Sequence, residues 1–78
     1  MHQTAVFSSS TRGSVTAEIA SGILGAAGID ADLAAVHVLD EAHALDLPLP
    51  ATVDVDGMAA LRARGDLQGI DVNIVPSE

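Results

Sequence analysis

The sequence of 78 residues contains no cysteine, no tryptophan, no tyrosine and a single phenylalanine. The absence of cysteine excludes disulfide bonds, thiolate nucleophiles and metal sites built on cysteine ligands. No apolar run approaches the roughly 18 residues that span a bilayer, and the segment Met1–Thr4 lacks the basic residues of a secretory signal. We therefore expect a cytoplasmic protein.

Lysine is also absent, and 11 acidic residues stand against three arginines, for a net charge of −8 at pH 7. Binding to a phosphate backbone requires several cationic contacts. Arg12, Arg62 and Arg64 cannot supply a basic stripe. The charge balance therefore predicts that nucleic acids and anionic membrane surfaces are not partners.

The length of the chain allows one domain, residues 1–78, with a thin core. A domain of this size buries only about 60% of the surface of its unfolded chain. Contact with a partner or with a second copy would add a large fraction to a small total stability. Oligomerisation is therefore the default expectation.

The first part of the chain predicts a strand, a loop and a helix. Thr4–Ser8 has the composition of a strand, and the turn-rich loop Ser9–Ser14 follows it. Ser14 or Thr16 can cap the helix, and Gly28 can end it. The helix itself is indicated by an apolar stripe of 3.6-residue period, formed by Val15, Ile19, Ile23 and Ala27.

The rest of the chain predicts three strands, a turn and a second helix. Pro48 and Pro50 are expected to stop the turn, Asp56 to cap the second helix and Gly65 to end it. The predicted elements are a strand Ala34–Val38, a helical turn Asp40–Leu45, a strand Thr52–Asp56, a helix Met58–Arg64 and a strand Ile70–Val75.

The polarity of the predicted strands bears on the fold. Strands buried on both faces of a parallel sheet are almost continuously apolar, whereas most of these alternate apolar and polar residues. One face of the sheet is therefore expected to meet solvent or a partner. The element order favours an α/β fold, a two-layer sandwich of ferredoxin-like βαββαβ topology. The alternative is a small doubly wound, flavodoxin-like parallel sheet with residues 40–50 as a crossover.

The loop after the first strand carries hydroxyl groups at the start of a helix, where backbone N–H groups can converge on an anion. About residues 3–45, from Thr4 through this loop to Leu33, resemble the opening βαβ unit of flavodoxins. That family holds the phosphate of flavin mononucleotide (FMN) in a Ser/Thr-x-Thr-Gly-x-Thr loop, although Val15 stands here at a usual threonine. The resemblance implies a phosphate or small-anion site at Ser9, Ser10, Thr11, Gly13 and Ser14; the alternative interpretation is a turn that caps the helix.

Two further patterns have structural alternatives. Gly22, Gly25 and Gly28 recur every three residues, which predicts close packing of the first helix on its own sheet, with contact to a partner helix as the alternative. A second pattern could approach a metal ion but is more typical of a solvated surface, and it consists of His37, Asp40, Glu41 and His43.

These observations favour a non-catalytic interaction or structural module, an oligomerising small subunit of a larger assembly. No residue is predicted to be catalytic and none to bind a metal. The alternative hypothesis is binding of FMN or another small anionic ligand by the loop. The expected contact surface is the first helix or the sheet face that bears His37, Asp54, Asp71 and Asn73.

Overall fold

The computed structural model describes residues 2–11, 13 and 15–77. A short 3₁₀ segment, Leu33–Ala35, and a tight turn, Asp40–Ala42, accompany the helices and strands. In chain order the main elements are β1 (His2–Ser8), α1 (Ala17–Ala26), β2 (His37–Leu39), β3 (Ala44–Leu49), α2 (Val55–Leu67) and β4 (Asp71–Ser77).

The four strands form one sheet in the order β2-β3-β1-β4, and each neighbouring pair is antiparallel. Both helices contribute to the single core on one face of this sheet, so the protein is a two-layer α/β sandwich. The predicted alternative of a doubly wound parallel sheet is wrong.

The resemblance to flavodoxins is wrong for the same reason. In a flavodoxin-like sheet the first two strands are parallel neighbours. Here β3 lies between β1 and β2, and β1 pairs in antiparallel fashion with β3 and β4. The expectation of flavin mononucleotide, which that resemblance alone carried, loses its support.

Alternate residues of the strands fill the space between the sheet and the helices, as the period of two along a strand requires. Phe7 at the centre of the core is fully buried. The helices add Ala20, Ile23, Leu24 and Leu61 to the core. The other buried strand residues are Ala5, Leu45, Leu47, Leu49 and Val72.

Helix α1 begins and ends as the sequence predicted. The Thr16 hydroxyl accepts a hydrogen bond from the Ile19 N–H at 3.2 Å, which caps the first turn. At the other end Gly28 has a φ of +76°, and the Ile29 N–H donates to the Leu24 carbonyl at 2.9 Å. This hydrogen bond is typical of a Schellman ending, in which glycine supplies the left-handed residue.

The glycines within α1 do not serve close packing. Gly22 and Gly25 are exposed, and a Cβ added at either position would have no atom within 4 Å. The prediction that these glycines allow α1 to approach its own sheet is therefore wrong.

Residues 40–56 differ most from the structure that the sequence predicts. The end of the predicted helical turn Asp40–Leu45 and Pro48, which was expected to stop it, belong instead to β3, the internal strand Ala44–Leu49. Pro48 is tolerated because β2 pairs only with residues 44–46, so beyond Asp46 the strand β3 has a neighbour on one side alone. Proline is compatible with such an edge position because no ladder hydrogen bond is lost there.

The predicted strand Thr52–Asp56 is the entry to helix α2. The carboxylate of Asp54 accepts a hydrogen bond from the Gly57 N–H at 2.8 Å and is the N-cap, so Asp56 lies in the first turn. Asp54 is consequently not on the sheet face where we expected it. Polar and apolar residues alternate over these five positions as they do in a strand, because the residues that lead into a helix follow no hydrophobic period of their own.

Helix α2 also continues beyond its predicted end. Gly65 is buried inside the helix, and Gly69, with a φ of +75°, follows the C-cap. The Ile70 N–H donates to the Gly65 carbonyl at 2.8 Å, which repeats the ending of α1.

The other predicted strands differ at their ends. β1 and β4 confirm the predictions Thr4–Ser8 and Ile70–Val75 with shifted bounds. The predicted strand Ala34–Val38 is shorter and later, because Leu33–Ala35 forms a 3₁₀ turn whose N-cap Asp32 accepts a hydrogen bond from the Ala34 N–H at 3.0 Å.

Candidate functional site

The loop between β1 and α1 lies against the turn between β2 and β3. The Ser9 N–H donates to the His43 carbonyl at 2.8 Å, and the Val15 N–H donates to the Ala42 carbonyl at 3.3 Å. Within the loop, the Thr11 N–H donates to the Ser9 hydroxyl at 3.1 Å. The two segments thus form one end of the molecule.

This end of the molecule contains most of the predicted anion-binding residues. Ser9, Ser10, Thr11 and Gly13 lie in the described loop, whereas Ser14 lies outside the described residues, as does Arg12. The amides of Ser9 and Thr11 already have acceptors.

The N-terminal end of α1, beside this loop, already has acceptors for part of its backbone N–H groups. The Thr16 hydroxyl accepts the hydrogen bond of the Ile19 N–H, and Glu18 places a carboxylate in the first turn. A carboxylate there interacts favourably with the helix dipole and competes with an external anion.

The turn facing the loop has an unusual backbone. Three successive residues other than glycine, Asp40, Glu41 and Ala42, have φ values of +49°, +56° and +70°. Such residues each cost roughly 1–2 kcal/mol relative to the right-handed conformation. The His43 N–H donates to the Asp40 carbonyl at 3.1 Å, and the two hydrogen bonds from the loop hold the turn from the other side.

The four residues considered for a metal do not converge. His43 Nδ1 lies 3.3 Å from Asp40 Oδ2, but His37 pairs instead with Asp46, at 3.9 Å between Nδ1 and Oδ1. In the described part of the chain, no group of three or more histidine and acidic side chains is placed to hold a metal ion.

The face of the sheet opposite the helices, which we term the open face, carries three of the four residues predicted for it together with their cross-strand neighbours. Register places His37, Asp46, Val6 and Asn73 in one row across the four strands. The next row consists of Leu39, Ala44, Ser8 and Asp71. His37, Asn73 and Asp71 are therefore on the open face, as the alternation of the sequence predicted.

The free side of β2, which we term the β2 edge, was not anticipated from the sequence. All three residues of β2 are exposed, with Val38 at 63% and Leu39 at 38%, and Leu33 just before the strand is 40% exposed. Val38 is the cross-strand partner of the buried Leu45 and so lies on the helix side, whereas Leu39 lies on the open face. Exposed apolar side chains thus border this edge on both sides of the sheet.

Two shallow cavities lie at the end of the molecule where α1 finishes. One, of about 350 Å³, lies between the end of α1 and the start of α2 and includes Asp30 and Asp54 in its wall. The other, of about 250 Å³, lies beside Leu33 and is bordered by Leu24, Gly25 and Ile29. Asp54 is already committed to its capping hydrogen bond, so the first cavity presents no arrangement with evident chemistry.

Comparison with protein-family models, with curated proteins and with solved structures finds no match for this chain. Within residues 2–11, 13 and 15–77, no helix has the length and apolar character needed to cross a membrane.

Proposed function

We propose that this chain is a non-catalytic protein-interaction module, an oligomerising small subunit of a larger assembly, with a ferredoxin-like fold. The βαββαβ order of helices and strands and the antiparallel strand order β2-β3-β1-β4 support that fold. The observation that carries the functional proposal is the composition of the open face.

On the open face, strand β1 carries no charge and is partly buried although no helix covers it, and Asp46 of β3 is the charged residue beside it. Thr4, Val6 and Ser8 of β1 and Ala44 of β3 have intermediate exposure there. A sheet face that meets only water is typically polar throughout. An apolar centre within a polar rim is the usual anatomy of a protein interface. Here small and apolar side chains of β1 and β3 are bordered by the polar residues His37, Asp46, Asp71 and Asn73.

The small size of the domain gives a second argument. The folded chain exposes 4672 Å², against roughly 11,000 Å² for an unfolded chain of 7.9 kDa, so about 60% of the surface is buried. Covering more of the remaining surface with a partner would therefore add a substantial share to the total stability of the fold.

Size-exclusion chromatography with light scattering at micromolar concentration tests the proposal. We expect a mass above that of the monomer, and we expect Val75→Asp, on the open face, to lower it. Val55→Asp is the matched control, because Val55 is also exposed but lies on α2. A monomer with a high melting temperature, or dissociation by the control alone, would contradict self-association through the open face.

The second hypothesis, binding of a small anion at the Ser9–Ser14 loop, stays a prediction. None of the described contacts favours it, because two amides of the loop and one of α1 already have acceptors. Titration with inorganic phosphate, followed by the amide NMR shifts of Ser10 and Gly13, tests it directly.

A further inference from the structure

We propose that the β2 edge binds an extended, basic segment of a partner protein, which adds to the sheet as a fifth strand. This inference rests on the proposed interaction function and names a second surface for it. It follows from the hydrogen-bonding state of the edge, its apolar border and the sign of the charge around it.

The two edges of the sheet differ in how open they are to another strand. β4 carries Pro76 and the polar residues Asp71 and Asn73, which are features that discourage pairing. β2 consists of His37, Val38 and Leu39, without proline and without a carboxylate, and in the described part of the chain it pairs only with β3. The backbone groups of these three residues that point away from β3 are therefore available to an added strand.

The apolar residues at this edge suit an added strand of alternating polarity. Val38 lies on the helix side together with Leu33, and Leu39 lies on the open face. In strand addition, main-chain hydrogen bonds provide affinity and contacts with alternate side chains provide specificity. An apolar side chain of the added strand would rest on Val38 and Leu33 and would cover area that now meets water.

The charge near the edge selects the occupant. Asp32 precedes β2, Asp40 follows it, and Asp46 lies across from His37 on β3. The described arginines, Arg62 and Arg64, are on α2, which packs beside β4 at the opposite edge. Lysine or arginine side chains in the added strand would meet these carboxylates, whereas the β2 edge of a second copy would bring its own Asp32 and Asp40 to the same place.

NMR titration of the isotope-labelled chain with a short capped peptide of alternating lysine and valine tests this inference. We expect amide shifts concentrated at residues 33 and 37–39, with an affinity that falls as salt is added because exposed charges are screened. The same peptide with glutamate in place of lysine should not bind. A peptide with proline at its centre should bind less tightly, because it lacks a ladder donor.

Matched variants separate the apolar and the charge contributions. Val38→Ser should weaken peptide binding about tenfold, which corresponds to roughly 1.4 kcal/mol, whereas Val55→Ser on α2 should not change it. Asp46→Asn should reduce the salt dependence of the peptide affinity, and Asp66→Asn on α2 should leave that dependence unchanged. All four positions are exposed or half-buried, so the variants are expected to fold.

Several results would overturn this inference. The first is the absence of amide shifts at millimolar peptide, and the second is equal binding of the lysine and glutamate peptides. The third is a shift at residues 37–39 that depends on protein concentration when no peptide is present, which would identify a second copy as the occupant. Shifts confined to Thr4, Val6 and Asn73 would reject the β2 edge but support the open face. The mass from light scattering reports on self-association separately, so the two proposals can fail independently.

Discussion

Helices α1 and α2 cover the same face of the sheet, but they are held to it differently. The 10-residue α1 buries Ala20, Ile23 and Leu24, an apolar stripe of helical period. The 13-residue α2 buries only Leu61 and Gly65. α1 is thus anchored by side chains, whereas α2 is anchored by one leucine and by a close approach of its own backbone.

The glycines of the two helices show the same contrast. A Cβ at Gly65 would lie 2.9 Å from the Ile70 carbonyl oxygen and would also collide with Val72. A Cβ at Gly25 would meet nothing. The position of a glycine in a helix therefore does not reveal its purpose, because the same residue is a packing requirement in α2 and a tolerated weakness in α1.

The largest expected effect tests the side-chain anchoring of α1. Leu24→Ala should lower the free energy of unfolding by about 2–5 kcal/mol, because it leaves a cavity in a fully packed core. Leu67→Ala, at a position of α2 that is 75% exposed, should change it by less than about 0.5 kcal/mol. Urea denaturation measures both values. Similar losses for the two variants would contradict the packing described for the helices.

The next effect tests the glycine contrast. Gly65→Ala should destabilise the protein by about 1–3 kcal/mol, because the methyl group forces the α2 backbone away from β4. Gly25→Ala, with open space around it, should stabilise the protein by about 0.5–1 kcal/mol. Melting temperatures of the pair should therefore move in opposite directions. A stabilising Gly65→Ala would show that α2 does not approach β4 this closely.

The smallest effect compares the helix starts. Asp54→Ala and Thr16→Ala should each cost about 1 kcal/mol, since each removes the acceptor of a capping hydrogen bond. The loss should be larger for Asp54, whose hydrogen bond is 2.8 Å long against 3.2 Å for Thr16 and whose charge also interacts with the helix dipole. Added salt should reduce the difference between the two losses in unfolding free energy, which urea denaturation measures. If the stability lost by Asp54→Ala is the same at low and at high salt, the interaction of its charge with the helix dipole makes no contribution.

Local signals in the sequence were sufficient for α1. Its apolar period, the hydroxyl of Thr16 and Gly28 are all short-range features, and the structure uses each as predicted. The alternation of Asp71 and Asn73 likewise placed both residues on the open face.

The errors arose where tertiary context decides. Leu45, Leu47 and Leu49 alternate with polar residues and proline as in a strand, but Pro48 predicts a break in regular structure. Proline is acceptable there only because β2 pairs with residues 44–46 and ends before Pro48. The length of β2 depends on contacts between distant parts of the chain, which the local sequence does not indicate. The β2 edge was missed for the same reason, since strand order determines which strand is at the border.

The pairing of the first and last strands in chain order has a practical consequence for labelling. His2 and Ser77 are cross-strand partners on β1 and β4. A fluorophore or surface tether at either of these two positions would lie on the half of the sheet formed by β1 and β4, away from β2. Either attachment point keeps β2 accessible, so immobilised protein can be used to measure peptide binding without steric interference at that strand.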